Sequence, residues 1–281
     1  MTAHFHFVPP HPALAGLIRR HQVIRLRFAS QGDEGGATPV KPYWPRPAAA
    51  LAFYVRDPET LWSPLDPTPR IKPRAVVIGQ PTTLTWRQGG GDFSVYQIEF
   101  EPGALYRLIG LSLEELTDGD VDAQAVFPPD FAELLHRIED ADDPTTMIQA
   151  AESYLGRLWT RRDRPVLAVD WVASRLIVRP EAGLDRLASN AGLSPRQMRR
   201  DFGGRLGVSP KLFARIARFD ALIRLRNQRP EQDWLEAALG AGYYDDHHLR
   251  RDFRLFAGVS PTRFQQMEAE SPERRFGYRE T

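Results

Sequence analysis

Cysteine is absent from the 281 residues. Disulfides, cysteine nucleophiles and thiolate metal sites are thereby excluded, and a reducing compartment fits. Long apolar runs are missing too. No stretch approaches the roughly 18 apolar residues that would span a bilayer, so no membrane association is expected. The opening residues MTAHFHFVPPHPALAG have neither a basic start nor an apolar run of signal-peptide length, which points to a cytoplasmic protein. The fingerprints GxSxG, Walker A and HExxH do not occur. No enzymatic activity and no cofactor are therefore expected. Metal-ligand spacing is also lacking. His4 and His6 alternate near one end with no carboxylate close by, and His247 and His248 are neighbours that a helix would point about 100° apart. His136 falls in an amphipathic helical stretch and reads as structural. Gly89–Gly91 is not followed by Lys-Ser/Thr, so it reads as a turn and not as a phosphate loop.

Net charge is small, +1, but unevenly spread. Residues 1–165 carry 17 Lys+Arg against 21 Asp+Glu, and residues 166–281 carry 20 against 15. Within 186–263 the count is 15 against 8, and only one of those 15 is a lysine. The planar fork of arginine donates two parallel hydrogen bonds and suits phosphate and guanine. A basic half beside an acidic half is the pattern of a nucleic-acid module joined to something else.

The length suits about two domains at roughly 100–200 residues each. Residues 1–100 are rich in proline, with short apolar runs between turn residues. Strands are expected over 22–28, 49–55, 75–78, 83–86 and 93–100, the last two joined as a hairpin by Gly89–Gly91. Pro39, Pro42, Pro45 and Pro47 sit too densely for a helix or a central strand. Helical signals begin after Pro102, and continue after Pro129 with Leu134, Leu135 and Ile138 and after Pro144 with Ile148, Ala151, Leu155 and Leu158. The apolar stripes of these helices either pack on their own sheet or pair in a dimer. The run Arg161–Arg164 has no apolar residue and marks the boundary between domains 1–163 and 164–281. Beyond Val166 no strand is expected. The fold class is thus α+β: an N-terminal antiparallel sheet or partial barrel with packed helices, then an all-α domain. Tyr43, Trp44, Phe53, Tyr54, Trp62, Trp86, Phe93 and Tyr96 crowd the first part. They fill a core or line a ligand pocket, the core being the stronger expectation.

The C-terminal part repeats itself. AGLSPRQMRRDFGGRLGVSPKLF at 191–213 matches AGYYDDHHLRRDFRLFAGVSPTRF at 241–264. Alanine-glycine, the phenylalanines 202 and 253, Gly207 and Gly258, the two Ser-Pro pairs and Phe213 and Phe264 recur in order. In each copy a short helix ends at a glycine that permits a left-handed turn. A second helix follows; in the first copy Ser194 caps it and Pro195 opens it. Met198 and Phe202 then face one way, and Arg196, Arg199 and Arg200 the other. In the second copy Leu249, Phe253 and Phe256 share the inner face, His247, Arg251 and Arg254 the outer, and Arg250 lies to one side. This is a helix-turn-helix plan, used twice. A helix from Ser209 to about Asn227 joins the units.

These stretches resemble the DNA-binding domain of AraC/XylS-type regulators. The resemblance rests on LASNAGLSPRQMRRDF, LGVSPKLFARIARFDALI, GYYDDHHLRRDF and FAGVSPTRF. Residues 96–118, YQIEFEPGALYRLIGLSLEELTD, are more loosely similar to the β-sheet sensor domains that precede it in relatives. The resemblance implies a bundle of about seven helices, and a DNA-binding transcription regulator with two recognition helices in successive major-groove segments. It assigns Arg196, Gln197, Arg199 and Arg200 to one segment and Asp246, His247, Arg250 and Arg251 to the other. It implies duplex DNA as partner, with a small-molecule effector, a homodimer and an RNA polymerase contact as further expectations. The alternative is an unrecognised N-terminal enzyme fused to a DNA-binding module. Two departures stand out. Gly203-Gly204 occupies places where relatives have basic residues and predicts an early end to the first recognition helix. Asp246 stands where many relatives have an uncharged polar residue.

Overall fold

A computed structural model describes residues 2–28, 38–161 and 164–270. Arg162 and Asp163 at the expected boundary, and residues 271–281 of the expected second domain, lie outside the described residues.

Among the described residues the first part contains ten strands: β1 (Thr2–Val8), β2 (Ile18–Arg27), β3 (Val40–Tyr43), β4 (Ala50–Tyr54), β5 (Glu59–Trp62), β6 (Arg70–Ile71), β7 (Ala75–Ile78), β8 (Thr85–Gly89), β9 (Asp92–Phe100) and β10 (Asp120–Asp122). Four α-helices among the described residues accompany them: α1 (Ala104–Ile109), α2 (Ala123–Val126), α3 (Phe131–Glu139) and α4 (Pro144–Arg161). The strands form two antiparallel sheets, ordered β1-β2-β9-β4-β7-β10 and β3-β8-β5-β6. Central strand β4 is buried at every position because both of its faces are covered. Leu51 and Phe53 point into the larger core with Tyr96, Ile98 and Phe100 of β9 and the helices. Ala52 and Tyr54 point the other way, into a cluster with Leu26, Val76, Phe93 and Val95. The expected α+β class holds. The stripes of α3 and α4, including Phe131, Leu134, Ile138, Met147, Tyr154 and Leu155, pack into the core of their own domain.

One expected pairing is corrected. The glycines at 89–91 do turn the chain, but β8 and β9 do not pair with each other. β8 pairs with β3 and β5, while β9 pairs with β2 and β4. The turn is a corner between sheets, held because the Asp57 carboxylate accepts the Asp92 N–H at 2.7 Å. A Cβ on Gly90 would collide with the Asp57 side chain. Strands β1, β3, β5, β6 and β10 are not among the expected ones. Pro42 does enter a strand, but β3 is at a sheet edge, where a missing N–H is tolerated.

The second part holds seven helices among the described residues: α5 (Ala168–Val178), α6 (Leu184–Asn190), α7 (Pro195–Leu206), α8 (Pro210–Gln228), α9 (Trp234–Gly240), α10 (Asp246–Phe256) and α11 (Pro261–Ala269). No strand is described from 164 to 270. Each helix-turn-helix unit has its own apolar core. The first gathers Leu176, Leu187, Met198, Phe202, Leu206 and Phe213. The second gathers Phe219, Leu249, Phe253, Phe256 and Phe264. Trp44 of the first part joins that second core, with its ring 5.2 Å from Phe264.

Glu99 on β9 is buried, and it accepts hydrogen bonds from Arg19, Arg20 and Gln22 at 2.7 Å each. Burial pushes its carboxyl up, but Arg19 and Arg20 outweigh that and hold it far below the usual carboxylate range. Its folded value is thus depressed. Its stabilisation is complete above the ordinary carboxylate range and fades as pH falls through and below it. Glu99→Gln is expected to lower the thermal midpoint at neutral pH. It should also flatten the loss of midpoint between about pH 5 and 3, measured by calorimetry against the native chain.

Candidate nucleic-acid interface

In the first unit, α6 ends in a turn whose Gly192 has φ of 66°. The Ser194 side chain then accepts the Gln197 N–H at 3.2 Å, and Pro195 opens α7. Met198 and Phe202 are buried, while Arg196, Gln197, Arg199 and Arg200 are all exposed. The outer face carries three guanidinium groups and an amide, each able to donate to phosphates or base edges. Arg200 is held beside the Asp201 carboxylate at 2.8 Å and projects largely into solvent.

The second unit repeats the arrangement. α9 runs into a turn with Gly242 at φ of 89°, and Asp245 caps α10 by accepting the His248 N–H at 2.8 Å. Leu249, Phe253 and Phe256 are buried. His247, Arg250 and Arg251 are exposed, and Asp246 is half-buried with its carboxylate bonded by Arg250. His247, Arg250 and Arg251 line one open groove together with Arg215, Asp245, His248, Arg254 and Leu255. Arg215 and Arg254 were not singled out from sequence for this role, although Arg254 had been placed on the outer face. Arg215 belongs to α8, and its guanidinium bonds Asp252 at 2.6 Å while Tyr243 donates to the same carboxylate at 3.1 Å. Asp252 thereby ties the joining helix, the turn and α10 into one unit. At about 1.5 Å per residue, α8 spans roughly 28 Å, and the two recognition helices are carried by that single rod.

The expected early end of α7 is corrected. The helix continues through Gly203-Gly204 to Leu206, and Gly207 closes it with φ of 81°. Gly203 has a close neighbour, whereas a Cβ on Gly204 would meet open space. A Cβ on Gly203 would lie 2.0 Å from the Glu114 carboxylate oxygen, in the short helical turn Leu113–Leu116 of the first domain. Thr117 donates to the Gly207 carbonyl at 2.6 Å. On the neighbouring face Arg205, itself on α7, is buried and bonds the carboxylate of Asp170 on α5. Arg107 of α1 approaches the same carboxylate at 3.8 Å. The start of α7 is therefore open, and its far end is docked on the first part of the chain.

The aromatic residues of the first part mostly serve packing. Phe53, Tyr54, Phe93 and Tyr96 are buried. Tyr54 also donates to buried Glu59, which takes a second bond from Lys72 at 2.7 Å. A cavity of only about 60 Å³ lies against Tyr43, Trp44, Tyr54, Glu59 and Arg87. Among the described residues no group of three or more His, Asp or Glu is placed to hold a metal, and no helix is long and apolar enough to cross a membrane.

Two capped, basic helices on one rod define a double helix-turn-helix protein. Residues 187–267 match the family described as helix-turn-helix domain, and residues 6–122 match a domain of unknown function, DUF6597. The C-terminal region is an AraC-type helix-turn-helix domain, a domain of DNA-binding regulators. No curated protein matches it. Among solved structures it is similar to an apo form of a ToxT variant from Vibrio cholerae, with 9% identity, a TM-score of 0.50, and coverage of 92% of this chain and 99% of that one. A wild-type ToxT described as bound to unsaturated fatty acid shows 10% identity, a TM-score of 0.48, and coverage of 88% and 94%. The AraC-like transcriptional activator CuxR shows 12% identity, a TM-score of 0.25, and coverage of 71% and 75%. Identities this low carry the fold alone.

Two glycines test the docking. Gly192 has nothing within 4 Å of an added Cβ, whereas a Cβ on Gly207 would lie 2.7 Å from the Leu113 carbonyl and the Thr117 hydroxyl. Gly192→Ala is expected to lose roughly 1–2 kcal/mol of stability through its left-handed backbone alone. Gly207→Ala should lose more, because it also separates α7 from the first domain. Denaturant unfolding of the two variants compares them directly.

Proposed function

We propose that α7 and α10 enter successive major-groove segments on one face of duplex DNA. Arg196, Gln197, Arg199 and Arg200 contact the first segment, and Asp246, His247, Arg250 and Arg251 the second. The supporting observation is that the expected cationic side chains stand exposed on the outer faces of two equivalently built helices, whose inner faces are buried. Arginine donates bidentately to guanine, and a carboxylate such as Asp246 can accept from the cytosine amino group. Residues 164–281 act as the DNA-binding domain. Residues 1–163 act as an effector-sensing or dimerising domain that regulates it and performs no catalysis.

Control by a ligand requires different affinity for two states of the protein. The docking of α1 and the 113–116 turn on the end of α7 supplies a route, since a change in the first domain reaches a recognition helix directly. A homodimer would raise DNA affinity through effective concentration. It would use a surface other than the stripes of α3 and α4. As an activator the protein would also contact RNA polymerase.

Arg196→Ala and Arg251→Ala are each expected to weaken binding to the preferred duplex by about 1–3 kcal/mol and to relax base preference at the contacted position. Phe253→Ala should instead lose about 3–5 kcal/mol of stability through a cavity. Fluorescence anisotropy with labelled duplex, paired with thermal unfolding, separates the two effects. Unchanged affinity in both arginine variants contradicts the assignment of faces.

A further inference from the structure

Helix α8 carries two kinds of cation. Toward its end, Arg224 pairs with Asp220 at 3.2 Å, and Arg226 donates to the carbonyls of Arg229 and Pro230. Near its start the cations are not consumed in this way. Lys211 is exposed and has no carboxylate partner among the described residues. Arg215 places both Nε and Nη2 on one oxygen of Asp252, at 3.0 and 2.6 Å, and no acceptor among the described residues meets its Nη1. Arg218 stacks its guanidinium 5.4 Å from the centre of the Tyr243 ring, and its buried Nε has no hydrogen-bond partner. At about 100° per residue, Lys211 and Arg218 lie within roughly 60° of Arg215 around the helix, so the three form one stripe.

The stripe stands beside the second recognition helix. Phe219 of α8 meets Phe253 and Phe256 of α10 with ring centres 5.0 and 5.4 Å apart. Arg215 forms one wall of the groove whose other wall is His247, His248, Arg251, Arg254 and Leu255 on α10. Asp252 is buried and the Arg215 side chain is 24% exposed, so the edge not bonded to Asp252 is the one open to the groove. Packed helices lie about 8–10 Å apart, axis to axis. The major groove of DNA is only about 12 Å wide and admits a single helix. With α10 inside that groove, α8 is held at its rim, where the sugar-phosphate backbone runs.

We propose that α8 is a third DNA-contacting element, and that Lys211 and Arg215 bind phosphates of the strand running between the two major-groove segments, with Arg218 adding to the local positive potential. This deepens the reading of α7 and α10 above and rests on it. A phosphodiester presents acceptor oxygens and a full negative charge, which guanidinium and ammonium donors meet through charge-assisted hydrogen bonds. Such contacts carry no base information and instead fix register and orientation. Asp252 links Arg215 to α10 and accepts from Tyr243 in the turn before it. A phosphate held on Arg215 therefore sets the depth and angle at which α10 enters its groove. The rod both spaces the recognition helices and anchors the backbone between them.

The test uses the full chain and two labelled duplexes of equal length, one carrying the sequence enriched by selection and the other a scrambled sequence. Fluorescence anisotropy gives the affinity for each across a series of KCl concentrations. Lys211→Gln is expected to flatten the slope of log affinity against log salt by about one, and to weaken binding roughly 3–10-fold near 0.15 M salt. The loss should be equal on both duplexes, whereas Arg251→Ala loses more on the enriched one. Arg215→Gln should flatten the slope as well. Because it also leaves Asp252 uncompensated, its folding is checked by thermal unfolding, and Lys211→Gln decides alone if that variant is unstable. Arg137→Gln removes one exposed cation from α3 and should leave the slope unchanged. An unchanged slope in Lys211→Gln, or a flattening no greater than in Arg137→Gln, overturns the proposal. A loss confined to the enriched duplex overturns the backbone assignment in favour of base reading. Failure of the wider reading has a different signature. If selection enriches no sequence, the scrambled duplex still reports the slope, and a flattening there keeps the α8 contact while the reading of α7 and α10 falls. An unchanged slope beside a loss of base preference in Arg251→Ala leaves that reading standing and removes the α8 contact.

Discussion

Asp170 holds the architecture together at the point where its two halves meet. Its carboxylate is buried on α5, grips Arg205 on the recognition helix α7 and lies within 3.8 Å of Arg107 on the first domain. Such a charge is tolerable inside only because cations surround it, and removing one partner would leave the others uncompensated. The backbone records the same constraint. A Cβ on Gly103 before α1 would lie 2.0 Å from an Asp170 oxygen, so only a glycine allows that approach. The orientation of the first recognition helix is consequently a property of the whole chain and not of its helix-turn-helix unit alone.

The second unit is built on the same logic with different atoms. Asp252 does for α10 what Asp170 does for α7, joining it to α8 through Arg215 and to its own turn through Tyr243. A contact with the first domain exists here too, through Trp44 and Phe264. Each recognition helix thus has an outer face of exposed cations, an inner aromatic core and a buried carboxylate fixing its pose. The first domain touches both units, which is what a regulatory domain needs if it is to alter their spacing or angle. The resulting two-headed surface separates roles along α7. The first turn of α7 is exposed, and its last turn is docked.

What the sequence disclosed divides by range of interaction. The helix-turn-helix units were legible because their signals are local. Ser194-Pro195 and Ser209-Pro210 start helices at the residues expected, and Gly192 and Gly242 carry the left-handed turns. The exposure of Arg196, Arg199 and Arg251 followed from helical spacing alone. Pairing in the sheets was not legible. Gly89–Gly91 had the look of a hairpin, yet the partner of the turn is Asp57, some thirty residues earlier, and the flanking strands part into different sheets. Gly203 is hidden for the same reason: its neighbour is Glu114, a residue that no local pattern connects to it. Trp44 gave only the general signal of an aromatic in a crowded region, and its place at the domain junction comes from a contact 220 positions away in sequence.

The central claim is that both helix-turn-helix units read one duplex together. Selection of the full chain on a random duplex pool, followed by sequencing, tests it most directly. The account predicts two enriched segments on one face of the DNA, separated by about one helical turn of 10–10.5 base pairs, as two major-groove helices on a single rod require. Selection that enriches no sequence, or a single short segment indifferent to its flanks, would contradict it.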